Sequence, residues 1–154
     1  MATTLKAGDI APAFTANDQN GNRLSLTDFK GKTVILYFYP KDDTPGCTAE
    51  ACDFRDNYQS LAGKGFEVVG VSTDDEKSHK KFEAKYNLPF PLIADTDQSI
   101  VEAYGVWGEK NMYGKKYMGT MRTTFIIDGE GVIKEVIDKV DTKAASQQVL
   151  DLLG

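Results

Sequence analysis

The chain has 154 residues, of which 41% are hydrophobic, enough apolar material for one domain with a substantial core. Its net charge is −5 and its Lys and Arg residues form no cluster, so neither nucleic acid nor an anionic membrane is an expected partner. The start has no signal-peptide pattern and no apolar run reaches transmembrane length, so we expect a single domain over residues 1–154 and a cytoplasmic location.

The N-terminal part of the chain predicts a β-hairpin followed by a buried strand. Segments 14–16 and 23–25 flank Asn20-Gly21, which is a strong signal for a hairpin turn. Residues 33–39 are β-branched, aliphatic or aromatic and show no alternation of apolar and polar side chains. This pattern is typical of a strand that is covered on both faces.

That strand ends at Pro40, and the sequence predicts a helix from Thr44 or Pro45 to Gly63. Thr44 is a favoured N-cap residue, Pro45 suits the first helical turn, and Gly63 is a plausible stop. Apolar residues recur on one face of this helix, at Cys47, Ala51, Phe54, Tyr58 and Leu61. Cys47 therefore falls in the first turn, where free backbone N–H groups and the helix dipole favour the thiolate, the nucleophilic form of the side chain.

The second cysteine, Cys52, is predicted on a more polar face of the same helix, about 140° away from Cys47. In an intact helix their Cα atoms would lie about 8–9 Å apart, beyond the ~7 Å limit for an unstrained disulfide. A disulfide between them would require the first turns to unwind. Two cysteines in a reducing compartment also favour transient redox use over a structural disulfide.

The remaining chain predicts a strand–helix alternation that ends in a hairpin and a helix. The segments are a strand at 66–72, a helix ending near Tyr86, an extended segment at 88–94, a short helix at 98–104, a hairpin at 123–137 and a helix at 142–153. Residues 106–119, rich in glycine and aromatics, predict a loop with some strand. From Thr33 onward this is the element order of a thioredoxin-like α/β fold, with a central mixed sheet flanked by helices and an N-terminal hairpin as an extension.

The helix that carries the cysteines resembles one known family. The frame of Pro40, Thr44 and Cys47, with Cys52 four intervening residues later, is similar to that of the bacterioferritin-comigratory (PrxQ) subfamily of peroxiredoxins, in the AhpC/TSA superfamily. Further similarity covers nearly the whole chain, at residues 7–12, 69–74, 104–110 and 122–128.

The resemblance implies a thiol-dependent peroxidase that reduces hydrogen peroxide and alkyl hydroperoxides. It implies that Cys47 becomes a sulfenic acid and then forms an intramolecular disulfide with Cys52. The other site residues that it implies are Thr44 and Arg122 in catalysis, and Pro40, Gly46 and Glu50 around the substrate. It further implies no metal or organic cofactor, thioredoxin or glutaredoxin as the reductant, and a monomer.

Other interpretations of the same residues are open. A thioredoxin-like disulfide reductase would use Cys-x-x-Cys and a cis-proline before the third core strand, where this chain has Met121-Arg122-Thr123. A redox-sensing or chaperone-like protein would present Phe54 and Tyr58 to a partner after oxidation. Cys47 could be only a small buried hydrophobe.

Three more candidates have ordinary alternatives. Cys52 could be an inert surface thiol, Arg122 a surface arginine at the end of a strand, and Glu50 a solvated helix carboxylate.

His79 lies in the polar run 77–81 and is expected to be solvated. Two cysteines and one distant histidine also fall short of a zinc site.

Overall fold

The computed structural model describes residues 3–153, apart from the side chain of Met112. In chain order its elements are β1 (Thr15–Asn17), β2 (Arg23–Ser25), a 3₁₀ turn (Leu26–Phe29), β3 (Thr33–Phe38), α1 (Pro45–Gly63), β4 (Phe66–Ser72), α2 (Glu76–Tyr86), β5 (Leu92–Ala94), α3 (Ser99–Ala103), β6 (Trp107–Met112), β7 (Lys115–Thr120), β8 (Thr123–Ile127), β9 (Ile133–Ile137) and α4 (Ala145–Leu153).

A five-stranded sheet with the order β5-β4-β3-β8-β9 forms the centre of the molecule. Strand β3 lies in the middle, parallel to β4 and antiparallel to β8. Strands β1 and β2 form a separate antiparallel pair. The predicted thioredoxin-like arrangement with a mixed sheet and an N-terminal hairpin is therefore confirmed.

The register of the sheet determines where the end of β3 points. Phe38, the last residue of β3, pairs with Val71 on β4 and with Thr123, the first residue of β8. The loop that follows β3 and the residue that precedes β8 consequently lie next to each other, at the same end of these two strands. This brings the start of α1 close to Arg122, although 75 positions separate Cys47 from Arg122 in the sequence.

Both faces of β3 are buried, as the lack of alternation predicts. One set of its side chains packs with α1, α2 and α4, and the other packs on the opposite face of the sheet with α3 and β8. The first set is Ile35 and Tyr37, and the second is Val34, Leu36 and Phe38. The apolar stripe of α1 belongs to the first core, with Cys47, Ala51, Phe54 and Leu61 buried.

Two expectations from the sequence differ from the structure. The segment predicted as a loop with some strand is a full hairpin of β6 and β7 over residues 107–120. Its turn residues Tyr113 and Gly114 have φ values of 52° and 82°, as a two-residue hairpin turn requires. Most of β7 is exposed, so its sequence lacks the alternation that marks a half-buried strand. His79 is 0% exposed instead of solvated.

Between residues 3 and 153, no helix is both long and apolar enough to cross a lipid bilayer.

Candidate active site

Helix α1 begins as the sequence predicts. Thr44 is the N-cap, with extended backbone angles, and Pro45 occupies the first turn. The carbonyl oxygen of Thr44 accepts a hydrogen bond from the backbone N–H of Thr48 at 2.8 Å. Cys47 thus lies in the first turn, where backbone N–H groups have no helical acceptor, and its residue exposure is only 1%.

Arg122 joins two residues of α1. Its Nη2 donates to the Sγ of Cys47 at 3.2 Å, and its Nη1 donates to Oε1 of Glu50 at 2.8 Å. The Arg122 side chain is 22% exposed, whereas that of Glu50 is completely buried. The guanidinium therefore presents a fixed positive charge to the sulfur and is itself oriented by the carboxylate.

Gly46 leaves room for this approach. A Cβ atom built on Gly46 would lie 3.1 Å from Nη2 of Arg122, closer than most Cβ contacts in proteins. A larger residue at this position would push the guanidinium away from the sulfur. Gly46, predicted to lie around the substrate, is therefore needed for the close contact between α1 and Arg122.

The charges of Glu50 and Arg122 depend on each other. Burial raises the pKa of Glu50 to about 7, although the charge of Arg122 and its hydrogen bond act in the opposite direction. Burial tends to lower the pKa of Arg122, but the neighbouring Cys47 and Glu50 raise it overall. Among the described residues, the second carboxylate oxygen of Glu50 has no hydrogen-bond partner. Near neutral pH, Glu50 thus changes between a neutral group and an anion that is paired with Arg122.

This arrangement predicts a pH-dependent stability that Glu50→Gln removes. The pKa of Glu50 is about 7 in the folded state, above its ordinary 4.5, so protonation of Glu50 stabilises the folded protein. This contribution to the free energy of unfolding is complete below pH 4.5 and is lost as the pH rises through 7. We expect the free energy of unfolding of the wild type, relative to Glu50→Gln, to fall by on the order of 2–3 kcal/mol between pH 4 and 8.

Urea unfolding at several pH values measures this difference. Glu102→Gln is the matched control, because Glu102 is an exposed helix carboxylate and its substitution should leave the pH dependence of the wild type unchanged. Parallel pH profiles for the wild type and Glu50→Gln would contradict the assignment.

Thr44 is the N-cap residue that the sequence predicts, but its side chain does not cap the helix. It makes no capping hydrogen bond to the helix; its hydroxyl donates instead to the carbonyl oxygen of Lys41 at 2.9 Å. The N-cap function belongs to the Thr44 backbone. Pro40 is half-buried at the start of the same loop.

Cys52 lies within the continuous helix α1 and is half-buried, and both cysteines are free thiols. The predicted separation of the two thiols on an intact helix agrees with this state. The structure therefore corresponds to the reduced protein.

Sequence reasoning missed a lysine near this site. Lys110, on β6, donates from Nζ to the carbonyl oxygen of Thr120 at 2.9 Å. Burial lowers its pKa, Arg122 lowers it further, and Cys47 acts in the opposite direction. The β6–β7 hairpin thus brings a second cation near Arg122. Its position in the segment 104–110, which supports the family resemblance, was the only signal in the sequence.

One further group of side chains has the composition of a metal site. The possible ligand atoms of Asp42, Asp74 and His79 lie within 4.8 Å of one another. The carboxylates already accept hydrogen bonds from Ser78 and Ser72, among other donors, and His79 contacts an oxygen through each nitrogen. These bonds favour a network of proton donors and acceptors over a metal ion.

Comparisons with known proteins agree with the geometry. The AhpC/TSA family model matches residues 7–136. Peroxiredoxin Bcp of Escherichia coli K12 is 47% identical over 149 residues, which cover 97% of this chain and 96% of that protein.

Two solved structures are also similar. A mutant of Xylella fastidiosa PrxQ has a TM-score of 0.92 and 31% identity, covering 99% of this chain and 97% of that one. The Xanthomonas campestris bacterioferritin comigratory protein, from a study of its alkyl peroxide reduction activity, has a TM-score of 0.85 and 37% identity, with coverage of 91% and 89%. The chain therefore belongs to the AhpC/TSA family, as a peroxiredoxin of the Bcp/PrxQ type and hence an oxidoreductase of the peroxidase class.

Proposed function

We propose that this chain, acting as one domain, reduces hydrogen peroxide and alkyl hydroperoxides with Cys47 as the nucleophile. The observation that carries the proposal is the contact of 3.2 Å between Sγ of Cys47 and Nη2 of Arg122 in the first turn of α1. Both the cation and the helix N-terminus favour a thiolate over a thiol. The reported activity of the Xanthomonas relative on alkyl peroxides supports the choice of substrate.

In the first step the thiolate of Cys47 attacks the terminal oxygen of the hydroperoxide. The S–O bond forms while the O–O bond breaks, and the leaving oxygen takes up a proton to depart as water or an alcohol. The product on the protein is a sulfenic acid.

The residues around Cys47 stabilise the charge that moves onto the leaving oxygen. Arg122 and the backbone N–H groups of Gly46 and Cys47 supply preorganised donors. The Thr44 hydroxyl donates a hydrogen bond to the carbonyl oxygen of Lys41. Its oxygen can accept a hydrogen bond from the peroxide in this state, and the hydroxyl can donate to the peroxide once the bond to Lys41 is released. Pro40 limits the access of water, and Glu50 orients Arg122.

In the second step Cys52 attacks the sulfur of the sulfenic acid, which releases water and leaves a Cys47–Cys52 disulfide. Because the Cα atoms of these positions lie about 8–9 Å apart in a helix, the first turns of α1 must unwind. A thioredoxin or glutaredoxin then reduces the disulfide by thiol exchange. We place this cycle in a monomer in the cytoplasm, where such reductants keep thiols reduced.

The test is to mix reduced protein with one equivalent of hydrogen peroxide in a stopped-flow instrument. We expect the wild type to lose both thiols rapidly and its intact mass to fall by two hydrogens. Cys52→Ser should lose one thiol and gain one oxygen, because the sulfenic acid cannot be resolved. Thiols that persist for minutes in the wild type would contradict the peroxidase proposal.

The same samples identify the reductant. Oxidised protein is mixed with reduced thioredoxin or with glutaredoxin and glutathione, and the recovery of thiols is followed. Failure of both would contradict the proposed recycling, whereas rapid reduction of insulin by the chain would favour a disulfide reductase.

A further inference from the structure

The loop between β3 and α1 is fastened to α2 by a buried hydrogen-bond network. Oδ2 of Asp42 lies 2.7 Å from Nδ1 of His79 and accepts a hydrogen bond of 2.8 Å from the Ser78 hydroxyl. Oδ1 of Asp42 accepts a bond of 2.7 Å from the hydroxyl of Tyr39. Within residues 3–153, the contacts of this carboxylate are thus with the side chains of Tyr39, Ser78 and His79, and none of these residues has a role in the peroxidase chemistry described above.

His79 links this network to the sheet. Its Nε2 lies 2.9 Å from the carbonyl oxygen of Ile93, in the edge strand β5. Both ring nitrogens therefore lie within hydrogen-bond distance of an oxygen atom. The side chains of His79 and Asp42 are 0% and 5% exposed. Removing one of them leaves buried polar atoms of the other without a hydrogen-bond partner, which is unfavourable.

The backbone of Asp42 is held as well. Its N–H donates to Oδ2 of Asp74 at 2.8 Å, and the same oxygen accepts a bond of 2.7 Å from Ser72, the last residue of β4. The neighbouring Asp43 also reaches α2, through Lys85 at 2.7 Å, but these side chains are 43% and 57% exposed. Two adjacent aspartates therefore tie the same loop to the same helix, one in the interior and one in solvent.

We propose that Asp42 and His79 are positioning residues for Cys47. Asp42 precedes Cys47 by five residues, and the loop that it holds sets the start of α1 opposite Arg122. The network therefore has two effects: it keeps the first turn of α1 formed while Cys47 reacts with peroxide, and it resists the unwinding that brings the sulfenic acid to Cys52. The inference rests on the proposed two-cysteine cycle.

The test separates these two steps in time. Reduced protein is mixed with one equivalent of hydrogen peroxide, quenched in acid after increasing delays and weighed by mass spectrometry. The sulfenic acid and the disulfide differ in mass, so each variant yields one rate for oxidation and one for disulfide formation. We expect Asp42→Asn and His79→Gln to slow the first step roughly ten-fold and to accelerate the second to a similar extent.

Asp43→Asn is the matched control, because it alters the neighbouring exposed contact, and an exposed ion pair should change either rate by no more than about two-fold. Opposite changes in the two rates are not expected from a loss of stability alone. Rates that stay unchanged, or that fall together as the melting temperature falls, would overturn the proposal.

Ser78→Ala covers the case in which Asp42→Asn and His79→Gln do not fold. It removes one hydrogen bond to Asp42 and leaves the Asp42 and His79 side chains in place. We therefore expect smaller changes in the same two directions, and their absence would overturn the proposal. If the wild type itself stops at the sulfenic acid, the proposed role of Cys52 fails. The oxidation rates of the variants then still test whether the network positions Cys47.

Discussion

Cys47→Ser is expected to abolish peroxide reduction while the fold is retained. Serine is nearly isosteric with cysteine, and its hydroxyl can still accept the hydrogen bond from Arg122 that Sγ accepts at 3.2 Å. A serine hydroxyl has no populated anion at neutral pH, so the nucleophile is lost. We expect the rate of peroxide consumption to fall about a thousand-fold or more, measured in an assay coupled to thioredoxin and its reductase.

Cys52→Ser is the control for this experiment. It removes the other thiol of the same helix, and it should still be oxidised once by peroxide at the rate of the wild type. Consumption of peroxide by Cys47→Ser at more than a small fraction of the rate of the wild type would show that another group carries the reaction.

Substitution of Arg122 is expected to have the second largest effect. Arg122→Gln removes the charge that faces the Cys47 sulfur, and we expect the second-order rate constant for peroxide to fall roughly 100- to 1,000-fold. Arg122→Lys should recover little of this loss, because a single ammonium group cannot reproduce the two directed bonds to Cys47 and Glu50. The rate constants are obtained by stopped flow under single-turnover conditions.

The exposed Arg23 provides the matched control, since Arg23→Lys should not alter the rate. The double variant Glu50→Gln, Arg122→Gln should be less impaired than the two single changes combined, because both act through the same guanidinium. Full activity in Arg122→Lys would indicate that only the positive charge matters and not the geometry.

The position of Cys47 could be predicted from the sequence because its signals are local. Pro40 ends the strand, Thr44 and Pro45 begin the helix, and the spacing of apolar residues identifies its buried face. Arg122 is different: its contact with Cys47 depends on the pairing of β3 with β8, and only the family resemblance predicted its role. Most of the segment 106–119, predicted as a loop with some strand, belongs to a hairpin. The sequence does not indicate this hairpin, because most of β7 is exposed and shows no alternation of apolar and polar residues.

The burial of two ionisable residues could not be predicted. His79 lies in a polar run of the sequence, and Glu50 is an ionisable residue between two alanines. Each is buried because a partner from another part of the chain compensates its charge or polarity. The partners are Arg122 for Glu50, and Asp42 for His79. Hydrophobic periodicity contains no information about such pairs, because it assigns charged side chains to the solvent.

The burial of Glu50 also couples the proposed cycle to proton exchange with the solvent. Glu50 lies between Cys47 and Cys52, within the turns that must unwind when these two residues form a bridge. On leaving its buried position it would return from a pKa of about 7 toward the ordinary 4.5 and release a proton at intermediate pH. Reduction of the disulfide would take that proton up again, so the midpoint potential of this couple should vary more steeply with pH between those values than the two thiols alone require.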